Sequence, residues 1–166
     1  MTVVAVDTRA YTSTYLAGNI LRSVTDIVKG CGLDPGSFTH TKTLDLGLRT
    51  WLESGHLTTV TLEIFGTRTK ELAGRFDFTI DYGYGSGDDG GFWLDTDQVK
   101  FAIRKHGLVA SGCEYRVLVT TKAGSPDVAG WASTSFLSTD GFTRYSVGTA
   151  IGASSTGAGL SYYSRS

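Results

Sequence analysis

The chain has 166 residues, a formal net charge of −1 and a hydrophobic fraction of 40%. This length favours a single domain with a real core, and the balanced charge argues against non-specific binding to nucleic acid, which needs a basic surface. No apolar run reaches the ~20 residues that span a bilayer, and the N-terminal residues carry no signal-peptide pattern. We therefore expect a soluble, cytosolic protein in which Cys31 and Cys113 are buried thiols rather than a disulfide framework.

Three amphipathic patterns predict helices. The first covers about residues 9–29, can start at an Asp7 cap and ends at the glycines around Cys31. Its apolar face consists of Leu16, Ile20, Val24, Ile27, Val28 and Cys31. The second has Leu44, Leu48, Trp51 and Leu52 on one face and ends at Gly55. The third begins near Thr96, after Asp95 as a cap, and ends at Gly107.

Alternation of apolar and polar residues predicts three strands. Val60, Leu62 and Ile64 form the apolar face of the first, and Phe76, Phe78, Ile80 and Tyr82 that of the second. The third covers Tyr115–Thr121. Since each strand has one polar face, we expect an antiparallel three-stranded sheet with three helices on one face only, an α+β fold.

The residues after Lys122 differ in composition from the rest of the chain. They are rich in Gly, Ser and Thr and contain no Lys or Glu, a composition typical of a flexible tail. Six aromatic residues argue for docking instead, among them Trp131 and Phe136. Residues 138–141 have the sequence of a turn, so we predict a hairpin formed by residues 131–137 and 142–147.

The candidate sites for chemistry have simpler explanations. The segment GSGDDG at residues 85–90 matches G-x-G-x-x-G, but no helix opens at these glycines and two aspartates stand where a phosphate would lie. Asp88, Asp89, Asp95 and Asp97 could hold a hard cation, but Asp95 and Asp97 fit the first turn of a helix better. The histidines are scattered and no G-x-S-x-G motif is present. We predict no catalytic residues, no metal and no cofactor.

Four segments together resemble the first family of bacterial HORMA-domain proteins. They are RTWLESGHL at 49–57 with VTLEI at 60–64, RFDFTIDY at 75–82, GW at 130–131 and STDGF at 138–142. The likeness covers the whole chain, and the order of elements agrees with it. It implies a single HORMA domain over residues 1–166, in which residues 1–122 form the core and residues 123–166 a mobile C-terminal safety belt.

The resemblance also implies a function. HORMA domains bind closure-motif peptides as an added strand under the belt, and an AAA+ remodelling ATPase reopens the closed form. In the anti-phage cyclic-oligonucleotide (CBASS) signalling systems of bacteria, the closed form binds and activates a cGAS-like nucleotidyltransferase. The chain would then be a cytoplasmic signalling adaptor and not an enzyme, and a second HORMA protein is a further possible partner.

The resemblance also implies which residues form the binding site, because the order of helices and strands in the family can be matched to the predicted elements of this chain. The strand that accepts the peptide corresponds to Tyr115, Arg116, Val117, Leu118, Val119, Thr120 and Thr121. The aromatic residues of the belt are Trp131, Phe136, Phe142 and Tyr145, and the belt hairpin is expected beside residues 75–82. Two alternatives stay open: a static recognition module without conformational switching, and a small enzyme with an acidic metal site.

Overall fold

The computed structural model of the chain describes residues 2–4, 8–37, 41–83, 91–153 and 155–165. These residues include three helices, α1 (Thr8–Gly30), α2 (Thr41–Glu53) and α3 (Thr96–His106), and a short 3-10 turn that covers Pro35–Ser37. Six strands lie within the described ranges: β1 (Leu57–Gly66), β2 (Leu72–Asp81), β3 (Trp93–Leu94), β4 (Cys113–Thr121), β5 (Phe142–Ala153) and β6 (Thr156–Arg165). None of these helices is long and apolar enough to cross a membrane.

The strands form one antiparallel sheet in the order β3-β5-β6-β2-β1-β4. The predicted α+β class is confirmed, and β1, β2 and β4 are the three predicted strands. The sheet is larger than predicted, because the C-terminal hairpin and the two-residue β3 extend it beyond β2.

The core lies between the helices and one face of the sheet. The apolar stripe of α1 belongs to the same buried cluster as Phe76 and Phe78 of β2, both of which are fully buried. Trp51 of α2 is also buried. Ala150, Ile151, Ala158 and Leu160 from the C-terminal hairpin belong to the same core, so this hairpin is an integral part of the fold.

Local hydrogen bonds explain where two helices begin and end. The Cys31 N–H donates to the Ile27 carbonyl, and Gly32 follows with a φ of 89°, a conformation that glycine adopts without strain. The Asp95 carboxylate caps α3 by accepting from the N–H groups of Asp97 and Gln98. The predicted Asp7 cap lies outside the described residues.

The predicted hairpin of residues 131–137 and 142–147 is wrong. Residues 131–137 form no strand, and the turn at 138–141 leads into β5 through a hydrogen bond from the Phe142 N–H to the Thr139 carbonyl. The hairpin consists instead of β5 and β6, paired from Phe142 with Arg165 to Ala153 with Thr156. Glycine and alanine occupy many positions of these strands, so the alternation that marks a strand is weak there.

Candidate functional site

The predicted peptide-binding strand lies at an edge of the sheet. Residues 115–121 all belong to β4, and among the described residues β1 is the one strand that pairs with it. Leu118 is buried and the neighbouring valines 117 and 119 are half-buried. An edge of this kind presents backbone N–H and C=O groups that can accept a further strand.

The C-terminal hairpin lies beyond β2, away from this edge. Strand β6 pairs with β2 from Arg75 opposite Tyr163 to Asp81 opposite Gly157. The belt hairpin predicted beside residues 75–82 consisted of residues 131–137 and 142–147, whereas the strand that pairs with β2 is β6. The chain must therefore travel from β4 across to β5, and it does so through residues 122–141, which we call the crossing segment.

Trp131 attaches the crossing segment to α2. Its ring packs edge-on against Trp51, with ring centroids 5.0 Å apart, and its Nε1–H donates to the Thr43 carbonyl over 3.2 Å. The Nε1–H of Trp51 donates in turn to the carbonyl of Pro126 over 2.7 Å. Gly47 leaves the room for the indole, because a β-carbon there would lie 2.5 Å from Trp131 Nε1.

Polar contacts attach the crossing segment to the face of the sheet that the helices leave uncovered. Glu63 of β1 accepts from the backbone N–H of Leu137 over 2.8 Å and from Nε of Arg116 over 2.8 Å. Arg116 also donates to Thr134 and to the Ser135 carbonyl. In the sequence Glu63 is one residue of the segment VTLEI, and nothing local to that segment indicates a partner 74 residues away.

Between β4 and the crossing segment lies a cavity of about 400 Å³. Its walls are β4 residues 117–119, Trp51 and the crossing segment from Ser125 to Phe136. Among the described residues Asp127 supplies its one charged side chain, and the others are apolar, Ser or Thr. A strand edge, apolar walls and an enclosing segment together suit an extended peptide better than a small charged substrate.

The four aromatic residues assigned to the belt occupy two different places. Trp131 and Phe136 belong to the crossing segment and line the cavity. Phe142 and Tyr145 belong to β5, where Phe142 lies 4.6 Å from the Arg165 guanidinium and Tyr145 stacks on Tyr162 at 5.2 Å. Only the first pair is therefore in a position to contact a ligand beside β4.

The buried ion pair of Arg75 and Asp77 lies on the same face as Glu63. Arg75 donates from Nε and Nη2 to the two carboxylate oxygens of Asp77, and Thr61 donates to the same carboxylate. Burial disfavours the charged guanidinium, but the hydrogen bonds and charge of Asp77 outweigh it and raise the pKa of Arg75. The Arg75 guanidinium lies between the rings of Phe136 and Tyr163, 4.5 and 4.7 Å from their centroids.

The residues considered for catalysis or metal binding are spread over the fold. Asp95 caps α3, whereas the glycine-rich segment and the aspartates at 88 and 89 lie outside the described residues. Within the described ranges, no three His, Cys, Asp or Glu side chains are placed to share a metal ion. Burial raises the pKa of the Cys31 thiol to about 12, which disfavours a reactive thiolate at that position.

Several solved structures contain chains whose fold is similar to that of this chain over nearly its whole length. A chain of the mitotic checkpoint complex is 13% identical with a TM-score of 0.72 and covers 93% of this chain and 98% of its own. C. elegans HTP-2 bound to a HIM-3 closure motif is 11% identical, with a TM-score of 0.61 and coverage of 98% and 99%. The E. coli MS115-1 CdnC:HORMA-deltaN complex contains a chain that is 11% identical, with a TM-score of 0.59 and coverage of 100% and 94%.

The family comparison covers the complete sequence. No curated protein sequence matches the chain, but the family model described as bacterial HORMA domain 2 matches residues 1–166. This confirms the resemblance to bacterial HORMA-domain proteins, although the description carries the number 2 where the sequence motifs had been assigned to the first family. The chain belongs to the bacterial HORMA domain 2 family.

Proposed function

We propose that this HORMA domain binds an extended closure-motif peptide along β4, with the crossing segment acting as the safety belt over it. The observation that carries the proposal is the cavity between the β4 edge and residues 125–136. The seven residues from Tyr115 to Thr121 would form the accepting strand. Trp131 and Phe136 would close over the peptide, while Phe142 and Tyr145 anchor the hairpin in the sheet.

Enclosure explains how such a site could hold a peptide for long times. Each main-chain hydrogen bond of an added strand contributes ~0.5–1.5 kcal/mol net, and a few of them scarcely offset the entropy lost on association. A belt held by Trp131 and by Glu63 must detach before the peptide can leave. The benefit then appears chiefly as a slow dissociation rate.

The wider role we propose is that of a cytoplasmic adaptor in bacterial anti-phage (CBASS) signalling. The closed, peptide-bound form would bind and activate a cGAS-like nucleotidyltransferase, and an AAA+ ATPase would reopen it. Two findings support this: membership of a bacterial HORMA family, and the likeness to a HORMA chain that was solved in complex with CdnC. A second HORMA protein is a further candidate partner, because HTP-2 was solved bound to a motif of HTP-3.

The test begins with a peptide selected on the full chain from a random-sequence library. The cGAS-like nucleotidyltransferase encoded beside the gene, where one is present, is then assayed for cyclic oligonucleotide synthesis with the chain alone, with the peptide alone and with both. We expect synthesis only with both. Binding without stimulation would support a static recognition module, and turnover of a nucleotide or ester by the chain alone would support an enzyme.

A further inference from the structure

Resting on the proposed function, we infer that Glu63 and Arg116 form a latch that holds the safety belt in its closed position and sets how often it opens. The latch joins β1 and the edge strand β4 to residues 134–137 of the belt. It lies on the face opposite the helices, so it is separate from the Trp131 anchor on α2.

Glu63 is unusual because its carboxylate is fully buried in a protein with ample surface. A buried carboxylate is tolerated only when charged or hydrogen-bonding groups satisfy its oxygens. Oε1 accepts from Nε of Arg116 and Oε2 accepts from the Leu137 N–H, each over 2.8 Å. One of the two partners is thus backbone of the belt itself, and charge-assisted bonds of this kind are the stronger ones.

Arg116 extends the latch across the belt. Its Nε binds Glu63, its Nη1 donates to Thr134 Oγ1 over 3.2 Å and its Nη2 donates to the Ser135 carbonyl over 2.8 Å. A lysine has a single ammonium group and cannot reproduce this planar fork. Because Arg116 belongs to β4, the latch connects the belt directly to the strand that would receive the peptide.

The latch stabilises one conformation selectively. With the belt in place, loss of Arg116 leaves a buried carboxylate with one partner fewer, which is costly. Once residues 134–137 move away, their contacts with Glu63 are gone and water can hydrate the carboxylate. A substitution in the latch therefore destabilises the closed belt more than the open one, and it shifts the equilibrium between them.

Hydrogen exchange on the full chain without any peptide tests the latch. The variants are Glu63→Gln, whose amide has one acceptor where the carboxylate has two, and Arg116→Lys, at a position that is a third exposed. Arg49→Lys is the matched control, since Arg49 also donates from Nε to a carboxylate, that of Asp45 over 2.9 Å, and is 38% exposed, but both residues belong to α2. The readout is the exchange rate of the Leu137 amide relative to amides in the β2–β6 pairing.

We expect both latch variants to raise exchange at Leu137 at least tenfold while the β2–β6 amides change less than twofold, and Arg49→Lys to leave the ratio unchanged. Unchanged protection of Leu137 in Arg116→Lys would overturn the latch, as would a rise shared equally with β2–β6. Should Glu63→Gln fail to fold, Arg116→Lys decides alone. Because no peptide is used, this result is independent of whether the chain binds one.

Discussion

The indole of Trp131 rests on Gly47 of α2 so closely that a β-carbon on the glycine would lie 2.5 Å from Nε1. The contact joins the crossing segment to a helical residue 84 positions earlier in the sequence. Trp51, on the same helix, packs edge-on against the Trp131 ring. Glycine inside a helix costs ~1 kcal/mol relative to alanine. Here the cost is offset by the room that Gly47 gives to Trp131.

The first prediction is that Gly47→Ala releases the crossing segment. Alanine improves helix propensity by ~1 kcal/mol, but the added methyl group collides with Trp131 and forces the indole off α2. We expect faster cleavage by chymotrypsin in the crossing segment, which contains Trp131 and Phe136, and at least a tenfold faster dissociation of a library-selected peptide.

Gly18→Ala in α1 is the control for that substitution. Apart from the backbone of α1 itself, no atom of the described residues lies within 4 Å of the position that its β-carbon would occupy, so the same change should stabilise the protein by up to ~1 kcal/mol without altering protease sensitivity or peptide release. If Gly47→Ala behaved like Gly18→Ala in all three measurements, Trp131 would not be an anchor of the belt.

The second prediction concerns the core. Phe78 is fully buried on β2 and packs in the cluster that the helices cover. Phe78→Ala should lower the free energy of unfolding by ~3–5 kcal/mol, because it removes buried surface and leaves a cavity. Denaturant unfolding measures the change. A loss below 1 kcal/mol would mean that this face of the sheet is assigned incorrectly.

The third prediction is a pH dependence of stability that arises from His106. Its ring packs on Phe76, and burial lowers its pKa although a hydrogen bond with the Gly107 carbonyl opposes this. A group whose pKa is lower in the folded state binds protons more readily when unfolded, so stability falls as pH drops below about 6.5 toward the folded pKa. His106→Gln should flatten the dependence of unfolding free energy on pH in that window, and an unchanged slope would contradict the assignment.

The fourth prediction compares the two thiols. Burial raises the pKa of Cys31 to about 12, whereas Cys113 is only partly buried. With a maleimide at pH 7.5, Cys113 should be modified first and Cys31 only as the protein unfolds. Mass spectrometry of the digested protein distinguishes the two sites. Equal labelling rates in the native protein would show that the end of α1 opens readily.

Hydrophobic periodicity correctly predicted the helices and strands in which large apolar side chains repeat at regular intervals. The stripe from Leu16 to Cys31 and the alternation from Phe76 to Ile80 predicted α1 and β2 correctly, because in both cases apolar side chains repeat at the period of the element. The pairing of β5 with β6 was not predicted, because Gly152 in β5 and Gly157 and Gly159 in β6 interrupt the alternation of apolar and polar side chains.

The site was only partly predictable for a related reason. The β4 edge follows from strand order, and the resemblance indicated that a C-terminal segment would close over it. The residues that hold this segment, Gly47, Glu63 and Trp51, are ordinary in their own elements, and their roles depend on contacts with residues more than 70 positions away. Local sequence patterns do not indicate contacts between residues that far apart.

The central claim is that a peptide joins β4 as an added strand, and N-methylation of the peptide backbone tests it most directly. In an antiparallel or parallel pairing only every second residue of the peptide directs its N–H toward the accepting strand. A series of library-selected peptides, each N-methylated at one position, should therefore lose affinity for the full chain at alternate positions, at least tenfold at those that face β4. Uniform effects along the peptide, or none at all, would show that it is not bound as a strand.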